Sequence, residues 1–268
     1  MSGASFVSPL TGRKLVFVLA DGLRADTARD YMGYLQALRE AGRAQWSSLR
    51  CELPSLSRPL YATVLTGRRP LEHGLVGNMP AGRYCGDNLI EQLAAHGGKT
   101  AVAAYHWFYE LLSGEVFDPL LHRHALTPHL SGAAWYCEDE YPDSHLLADA
   151  EHLRRTLSPV LLFVHPMGLD HAGHTHGGES AAYAMAARRL DMQLAQLVPR
   201  WHQAGYDVLL TSDHGMNADR MHGGALACER EVPLVWAPHA AHADAAPEEL
   251  PTDQLGLRAF VLSQLCCV

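Results

Sequence analysis

The sequence predicts an α/β fold in a single domain, with a mostly parallel central sheet covered by helices on both faces. Three observations carry this expectation. Five short apolar runs are continuous rather than alternating, as in strands buried on both faces. Segments with helical spacing lie between them, and strands alternating with helices build parallel βαβ units. The length of 268 residues, 48% of them hydrophobic, supplies enough chain for one sizeable core.

The runs are KLVFVLA (14–20), KTAVAAY (99–105), PVLLFVH (159–165), YDVLLTS (206–212) and VPLVWA (232–237). Helical spacing appears over 25–42, where Tyr31, Leu35 and Leu38 share a face and a glycine ends the segment. It recurs over 87–98 and over 179–205, where Pro199 is a candidate kink. A last helix over 252–265 follows Pro251, with Thr252 as a candidate cap. The stretch 238–251 reads as loop. Residues 107–158 are the least regular and are expected to form an excursion over one sheet edge, within one domain spanning 1–268.

The formal charge of −8 disfavours a nucleic-acid polymer as partner. The N-terminal MSGASFVSPLTGRK lacks a basic-then-apolar signal, and no apolar run approaches a membrane span, so no membrane partner is expected. The six cysteines (51, 85, 137, 228, 266 and 267) form no CxxC pair, and CCV at the C-terminus is not a prenylation box. Together these features predict reduced thiols and a cytoplasmic location.

In open α/β sheets, chemistry sits beyond the carboxyl ends of the strands. The unusual residues of this chain fall there. Asp21 follows the first run, His165 to His174 the third, and Asp213 with His214 the fourth; Tyr105 to Trp107 follow the second. The stretch HPMGLDHAGHTHGG (165–178) holds one aspartate and four histidines, and Asp170 and His174 are four apart, one helical turn or a compact loop. Gly215 permits a turn after Asp213 and His214, and His222 lies just beyond. Three carboxylates and three imidazoles suit zinc, with manganese or iron as alternatives, and six ligands are too many for one tetrahedral ion. They suit two divalent ions sharing a substrate oxygen. His165, His171 and His176 read as solvated or supporting histidines. Asp21 alone would also suit a helix cap.

The segment LPSLSRPLYATVLTGRRPLEHGLVGN (53–78) supplies a candidate nucleophile. Ser57 precedes a short helical pattern with Pro59 in its first turn, so its hydroxyl would face the positive end of a helix, a place suited to phosphate. A plain capping role is the alternative, and Ser55 is the rival nucleophile. The aromatic run YHWFYELL (105–112) could stack a base or aryl group, or pack in the core.

These segments resemble the alkaline phosphatase superfamily, and most closely its type I phosphodiesterase/nucleotide pyrophosphatase family. The resemblance rests on FVLADGLRAD, on LTG followed by HGLVGN, on LDHAGH, on SDHGM and on a later HGG, in that order along most of the chain. It implies an alkaline phosphatase-like fold. It also implies one metal held by Asp170, His174 and His222, and another held by Asp21, Asp213 and His214 with Ser57 on or near it. Ser57 takes the place of the family's nucleophilic threonine, and Leu60 that of an asparagine that would hold a phosphoryl oxygen. Arg58, Leu60, Asn78, Tyr105 and Trp107 become candidate contacts to substrate. A sulfatase would need arginine at position 61, where this chain has Tyr61.

The expected activity is therefore hydrolysis of a small-molecule phosphoester, as a phosphodiesterase or nucleotide pyrophosphatase working through a phosphoryl-serine. A phosphomonoesterase or phosphonate-type hydrolase is the alternative. A phosphosugar mutase, a sulfatase-like enzyme and a non-catalytic metal-binding protein are weaker ones.

Overall fold

The computed structural model describes residues 9–79, 87–245, 247 and 249–267. The N-terminal eight residues, Cys85 and Val268 lie outside them.

Seven strands form one sheet: β1 (Lys14–Leu19), β2 (Gln45–Arg50), β3 (Thr100–Tyr105), β4 (Gly132–Tyr136), β5 (Leu161–Val164), β6 (Tyr206–Thr211) and β7 (Glu231–Ala237). The helices before the middle of the chain are α1 (Ala25–Tyr31), α2 (Gly33–Glu40), α3 (Ser57–Thr66), α4 (Pro70–His73), α5 (Leu89–Ala95), α6 (His106–Ser113) and α7 (Pro119–His122). Beyond it come α8 (Asp143–Leu157), α9 (Gly168–His176), α10 (Ala181–Gln203), α11 (Ala227–Arg230) and α12 (Leu255–Leu265). The strand order is β2-β7-β6-β1-β5-β3-β4. β6, β1, β5, β3 and β4 pair in parallel, whereas β7 runs antiparallel to both β6 and β2.

The continuous apolar runs are explained by burial on both faces. Val16 and Val18 of β1 point into a core with Leu35, Leu146, Leu190 and Trp201 from α2, α8 and α10. Leu15, Phe17 and Leu19 point the other way, against Tyr61, Ile90, Phe108 and Val261 from α3, α5, α6 and α12. Alternate residues of one strand thus anchor two helical layers. Every residue of β3, β5 and β6 is buried as well.

Several sequence expectations need correction. β7 has the apolar run of a parallel strand but is antiparallel, because burial on both faces gives the same pattern in either direction. Two strands carried no apolar run. β2 is QWSSLR, an edge strand buried only in part, and β4 is GAAWY, whose small residues give a weak signal. Through β4 and α8, the 107–158 region adds an edge strand and a packed helix to the sheet, so it is an integral part of it rather than an excursion. The 25–42 helix breaks at Met32, whose φ of −102° and ψ of 74° leave the helical region. The last helix starts at Leu255 with Gln254 at its cap position, so Thr252 does not cap it. The 238–251 stretch contains a short 3₁₀ segment, Ala240–Ala245. α10 continues through Pro199.

Candidate active site

The three central strands deliver the chemistry. β1 pairs with β5 on one side and β6 on the other, with Leu19 opposite Thr211 and Val18 opposite Val164. Asp21, His165 and Asp213 therefore leave neighbouring strand ends at nearly the same height. The loop after β6 is pinned: Ser212 Oγ accepts from Leu23 N–H at 2.9 Å and donates to the His214 carbonyl at 2.6 Å. Two glycines permit the close approach. Gly22 has a φ of +71°, and a Cβ there would meet Asp170 Cα at 2.9 Å; a Cβ on Gly215 would lie 2.0 Å from the Cys228 carbonyl oxygen.

Asp170 and His174 share one face of α9, one turn apart, so the His165–Gly178 stretch is largely helix rather than a loop folded around an ion. His174 Nε2 lies 3.4 Å from Asp170 Oδ2 and 3.2 Å from His222 Nε2, and His222 Nε2 lies 3.8 Å from Asp170 Oδ1. In the second group, His214 Nε2 lies 3.3 Å from Asp21 Oδ1 and 3.2 Å from Asp213 Oδ2. The groups abut: the His214 and His222 rings stack with centroids 3.6 Å apart, and Asp170, His214 and His222 also bring ligand atoms within 4.8 Å of one another.

The donor set fits divalent cations. His174 Nδ1 faces the Arg220 carbonyl at 2.9 Å, His214 Nδ1 the Gly215 carbonyl at 2.9 Å, and His222 Nδ1 the Ser55 carbonyl at 2.8 Å. A carbonyl only accepts, so each Nδ1 carries the proton and each Nε2 turns a lone pair into the site. Asp21 Oδ1, Asp170 Oδ1 and Asp213 Oδ2 are buried without a hydrogen-bond partner among the described residues. Such orphaned acceptors are rare unless an ion answers them. Four of these five separations, all but His222 to Asp170, also match the ~3.3 Å edge of a tetrahedron whose donors lie ~2.0 Å from a central zinc.

Electrostatics point the same way. Burial raises Asp213 and Asp170 well above the usual carboxylate range, and the Asp21 charge adds to both. Burial also acts to raise Asp21, but His165, His214 and Tyr61 outweigh it and hold Asp21 below its ordinary value. Burial and the neighbouring His222 push His214 down to about 3. Burial likewise lowers His222. His214 and His222 are thus held toward their neutral forms, while two of the three carboxylates resist ionising.

Ser57 is the first residue of α3, buried, with its Oγ 2.9 Å from His214 Nε2. Leu56 occupies the cap position, so the capping alternative for Ser57 does not hold; nor does Asp21 cap a helix, since Arg24 precedes α1. Ser55 is fully engaged: its Oγ donates to the Gly224 carbonyl at 2.8 Å and accepts from Gly223 N–H at 3.0 Å.

The candidate substrate contacts fare unevenly. Leu60 is fully buried in the core and offers no surface to a substrate. Arg58 is 1% exposed, paired to Glu110 at 2.6 Å, with its guanidinium 4.8 Å from the Trp107 ring centre. Asn78 Oδ1 accepts from the Arg58 backbone N–H at 3.1 Å and so steadies the start of α3. Phe108 and Tyr109 pack in the core, and Tyr105 is 7% exposed against Trp107 and Tyr136. Its edge nonetheless lines a cavity of about 660 Å³ with Glu138, Asp139, Glu140, Tyr141 and His171.

Three supporting residues carried no motif. Tyr61 donates a short hydrogen bond to Asp21 Oδ2, and burial, with the Asp21 charge, keeps its phenol protonated far above the ordinary range. His165, set aside as non-ligating, places Nε2 3.2 Å from the same oxygen, and Tyr136 OH donates to the His165 carbonyl at 2.6 Å. His176 is exposed.

A doubly wound sheet with a buried serine and paired carboxylate–histidine groups at its carboxyl edge matches a phosphoester-processing domain of the alkaline phosphatase type. The family model for type I phosphodiesterase/nucleotide pyrophosphatase matches residues 15–88 and 138–224, more than half of the chain. The chain belongs to that family. Among curated proteins it is similar to GPI ethanolamine phosphate transferase 2 of Aspergillus fumigatus, 23% identical over 92% of this chain and 33% of that protein. It is also similar to the catalytic subunit of mouse GPI ethanolamine phosphate transferase 3, 25% identical over 88% of this chain and 22% of that protein. The chain thus spans between a fifth and a third of their length. Among solved structures, the zinc complex of the C-terminal periplasmic domain of EcEptC from Escherichia coli matches with a TM-score of 0.65 and 14% identity, over 96% of this chain and 82% of that one. Murine ectonucleotide pyrophosphatase/phosphodiesterase 5 matches with a TM-score of 0.57 and 16% identity, over 76% and 58%.

These relatives overturn the expectation of a cytoplasmic location. The curated ones are named as GPI ethanolamine phosphate transferases, which does not fit a cytoplasmic enzyme. Among the described residues no helix is long and apolar enough to cross a membrane.

Because Asp170 and Asp213 are held above the ordinary carboxylate range, zinc binding to the metal-free chain at pH 7 should release protons. Calorimetric titration in buffers of different ionisation enthalpy measures this directly. The observed heat should vary with the buffer, and the affinity should fall as the pH is lowered. Heats independent of the buffer would contradict the assignment.

Proposed function

We propose that this chain is a metal-dependent phosphodiester-cleaving enzyme that works through a phosphoryl-Ser57 intermediate. The observation that carries the reading is the Ser57 hydroxyl at a helix start, 2.9 Å from His214, one of five converging metal-type donors that His174 adjoins. Asp21, Asp213 and His214 would hold one divalent ion, and Asp170, His174 and His222 the other, zinc being the ion that donor set best suits. When bound, the ions supply positive charge that lowers the pKa of the Ser57 hydroxyl and neutralises the phosphoryl oxygens.

The protein's own groups do the rest. α3 fixes the Ser57 Oγ and turns its positive end toward the phosphoryl group. Ser57 gives up its proton and forms the Oγ–P bond in line with the ester bond that breaks, and the departing oxygen takes a proton as the alcohol. Water then attacks phosphorus and frees Ser57. No histidine–aspartate relay activates the serine, because the imidazole nearest it is a ligand. Asp139, whose charge acts on Asp170, lines the neighbouring cavity with Glu138 and Glu140, and these carboxylates would repel further phosphate groups. That favours a diester with a neutral or cationic substituent over a nucleotide polyphosphate.

The curated relatives' names favour a second reading, in which an alcohol rather than water discharges Ser57 and the reaction is a transfer. The first half-reaction is the same. Product analysis with and without an added amino alcohol separates the two outcomes.

Replacing Ser57 by alanine should lower kcat by several orders of magnitude while leaving metal content and fold intact. Ser55→Ala should do far less. A dead Ser55 variant beside an active Ser57 variant would place the nucleophile wrongly.

With p-nitrophenyl leaving groups, kcat/KM should be greater for a diester than for the monoester on one zinc-loaded preparation. A monoester brings an extra negative charge, and Arg58, the nearest cationic side chain in sequence, is already committed to Glu110. Strong chelation should abolish both activities. A clear preference for the monoester would move the chain to the phosphatase side.

A further inference from the structure

We infer that Tyr61 is a positioning residue that ties the nucleophile helix to one metal ligand, by holding Asp21 through Oδ2 so that Oδ1 alone is offered to the ion. The inference rests on the metal-dependent reading of the site and assigns a role to a residue that no motif marks.

Tyr61 lies four residues after Ser57 on α3, so both side chains project from the same face of one helix. Ser57 reaches His214, and Tyr61 reaches Asp21 Oδ2 with its hydroxyl. One rigid turn of helix therefore contacts two donors of the same ligand group, and any shift of Ser57 relative to that group must also stretch the Tyr61–Asp21 bond. The ring itself is held. It stacks on Phe108 with centroids 4.3 Å apart and 19° between planes, and His165 stands edge-on at 4.8 Å. The phenol thus has little freedom to turn away.

The two oxygens of Asp21 are unequal as a result. Oδ2 meets Tyr61 OH and, off the ideal hydrogen-bond direction, His165 Nε2 at 3.2 Å. Oδ1 has no hydrogen-bond partner among the described residues and lies 3.3 Å from His214 Nε2. A carboxylate held this way ligates through one oxygen and is spared the entropy of choosing between two modes. Outer hydrogen bonds of this sort are worth about 10–100-fold in metal affinity. Position 61 also explains itself physically: an arginine there would bring a buried charge in place of a neutral donor of the right length.

The test is zinc titration of the metal-free full chain against a competing chelator, for wild type, Tyr61→Phe, Asp21→Asn and the double variant, with thermal unfolding of each metal-free protein. Tyr61→Phe keeps the ring and its stack. It should raise one of the two dissociation constants about 10–100-fold, leave the other unchanged and lower metal-free stability only by the loss of one buried hydrogen bond. The effects of Tyr61→Phe and Asp21→Asn should not add, since they act on one ligand. A general structural role would instead shift both constants or add fully to Asp21→Asn, and either of these overturns the inference. Two unchanged constants in Tyr61→Phe overturn it as well. If wild type itself binds no zinc, the metal-dependent reading fails instead. Should Tyr61→Phe not fold, the zinc-loaded wild-type structure decides. Asp21 bound through Oδ1 alone with Tyr61 on Oδ2 supports the tie, and Asp21 bound through both oxygens refutes it.

Discussion

Three carboxylates and three imidazole nitrogens converge at the ends of the central strands, with only His174 open to solvent, and much of the molecule is arranged to keep them there. Without positive charge the arrangement is unfavourable, since like charges and lone pairs face one another at low dielectric. The protein's response is to fix the histidines and Asp21 from behind. Backbone carbonyls of Ser55, Gly215 and Arg220 take the outer nitrogens of the three histidines, while Tyr61 and His165 take the outer oxygen of Asp21. The inner atoms are left unanswered. A site built this way surrenders some stability of the metal-free chain in return for a preformed geometry.

Topology makes the convergence affordable in backbone terms. β1 lies between β5 and β6, so three neighbouring strand ends open on one spot. α3 arrives across them with Ser57 at its first turn, and α9 supplies Asp170 and His174 one turn apart. The long α10 and the second helical layer on the opposite face bury both sides of the central strands, which keeps those ends from drifting.

Much of this was legible in the sequence because it depends on local pattern. Continuous apolar runs marked the doubly buried strands, and Asp21, Asp170, His174, Asp213, His214 and His222 stood just past such runs. The structure gathers those six and Ser57 into one place. What stayed hidden depends on contacts distant in sequence. β2 and β4 lack apolar runs because one is a half-exposed edge and the other is built of small residues. Strand direction was invisible in β7, since burial on both faces leaves no trace of polarity. Leu60 looked like a pocket residue by position in a motif, yet helical phase turns it into the core. Tyr61 is an ordinary core residue by type, and only proximity to Asp21 reveals it, whereas His165 could be read as a supporting histidine without its partner being known. The cysteine pattern and the first residues suggested a compartment that the relatives contradict, because neither feature by itself reports where a protein resides.

The central claim is that two cations sit beside Ser57 in two separate donor sets. Anomalous diffraction at the zinc edge from a crystal grown with zinc tests it most directly. Two peaks per chain are predicted, one within bonding distance of Asp21, Asp213 and His214, the other of Asp170, His174 and His222. A single peak, or zinc bound elsewhere with these six side chains unmoved, would contradict it.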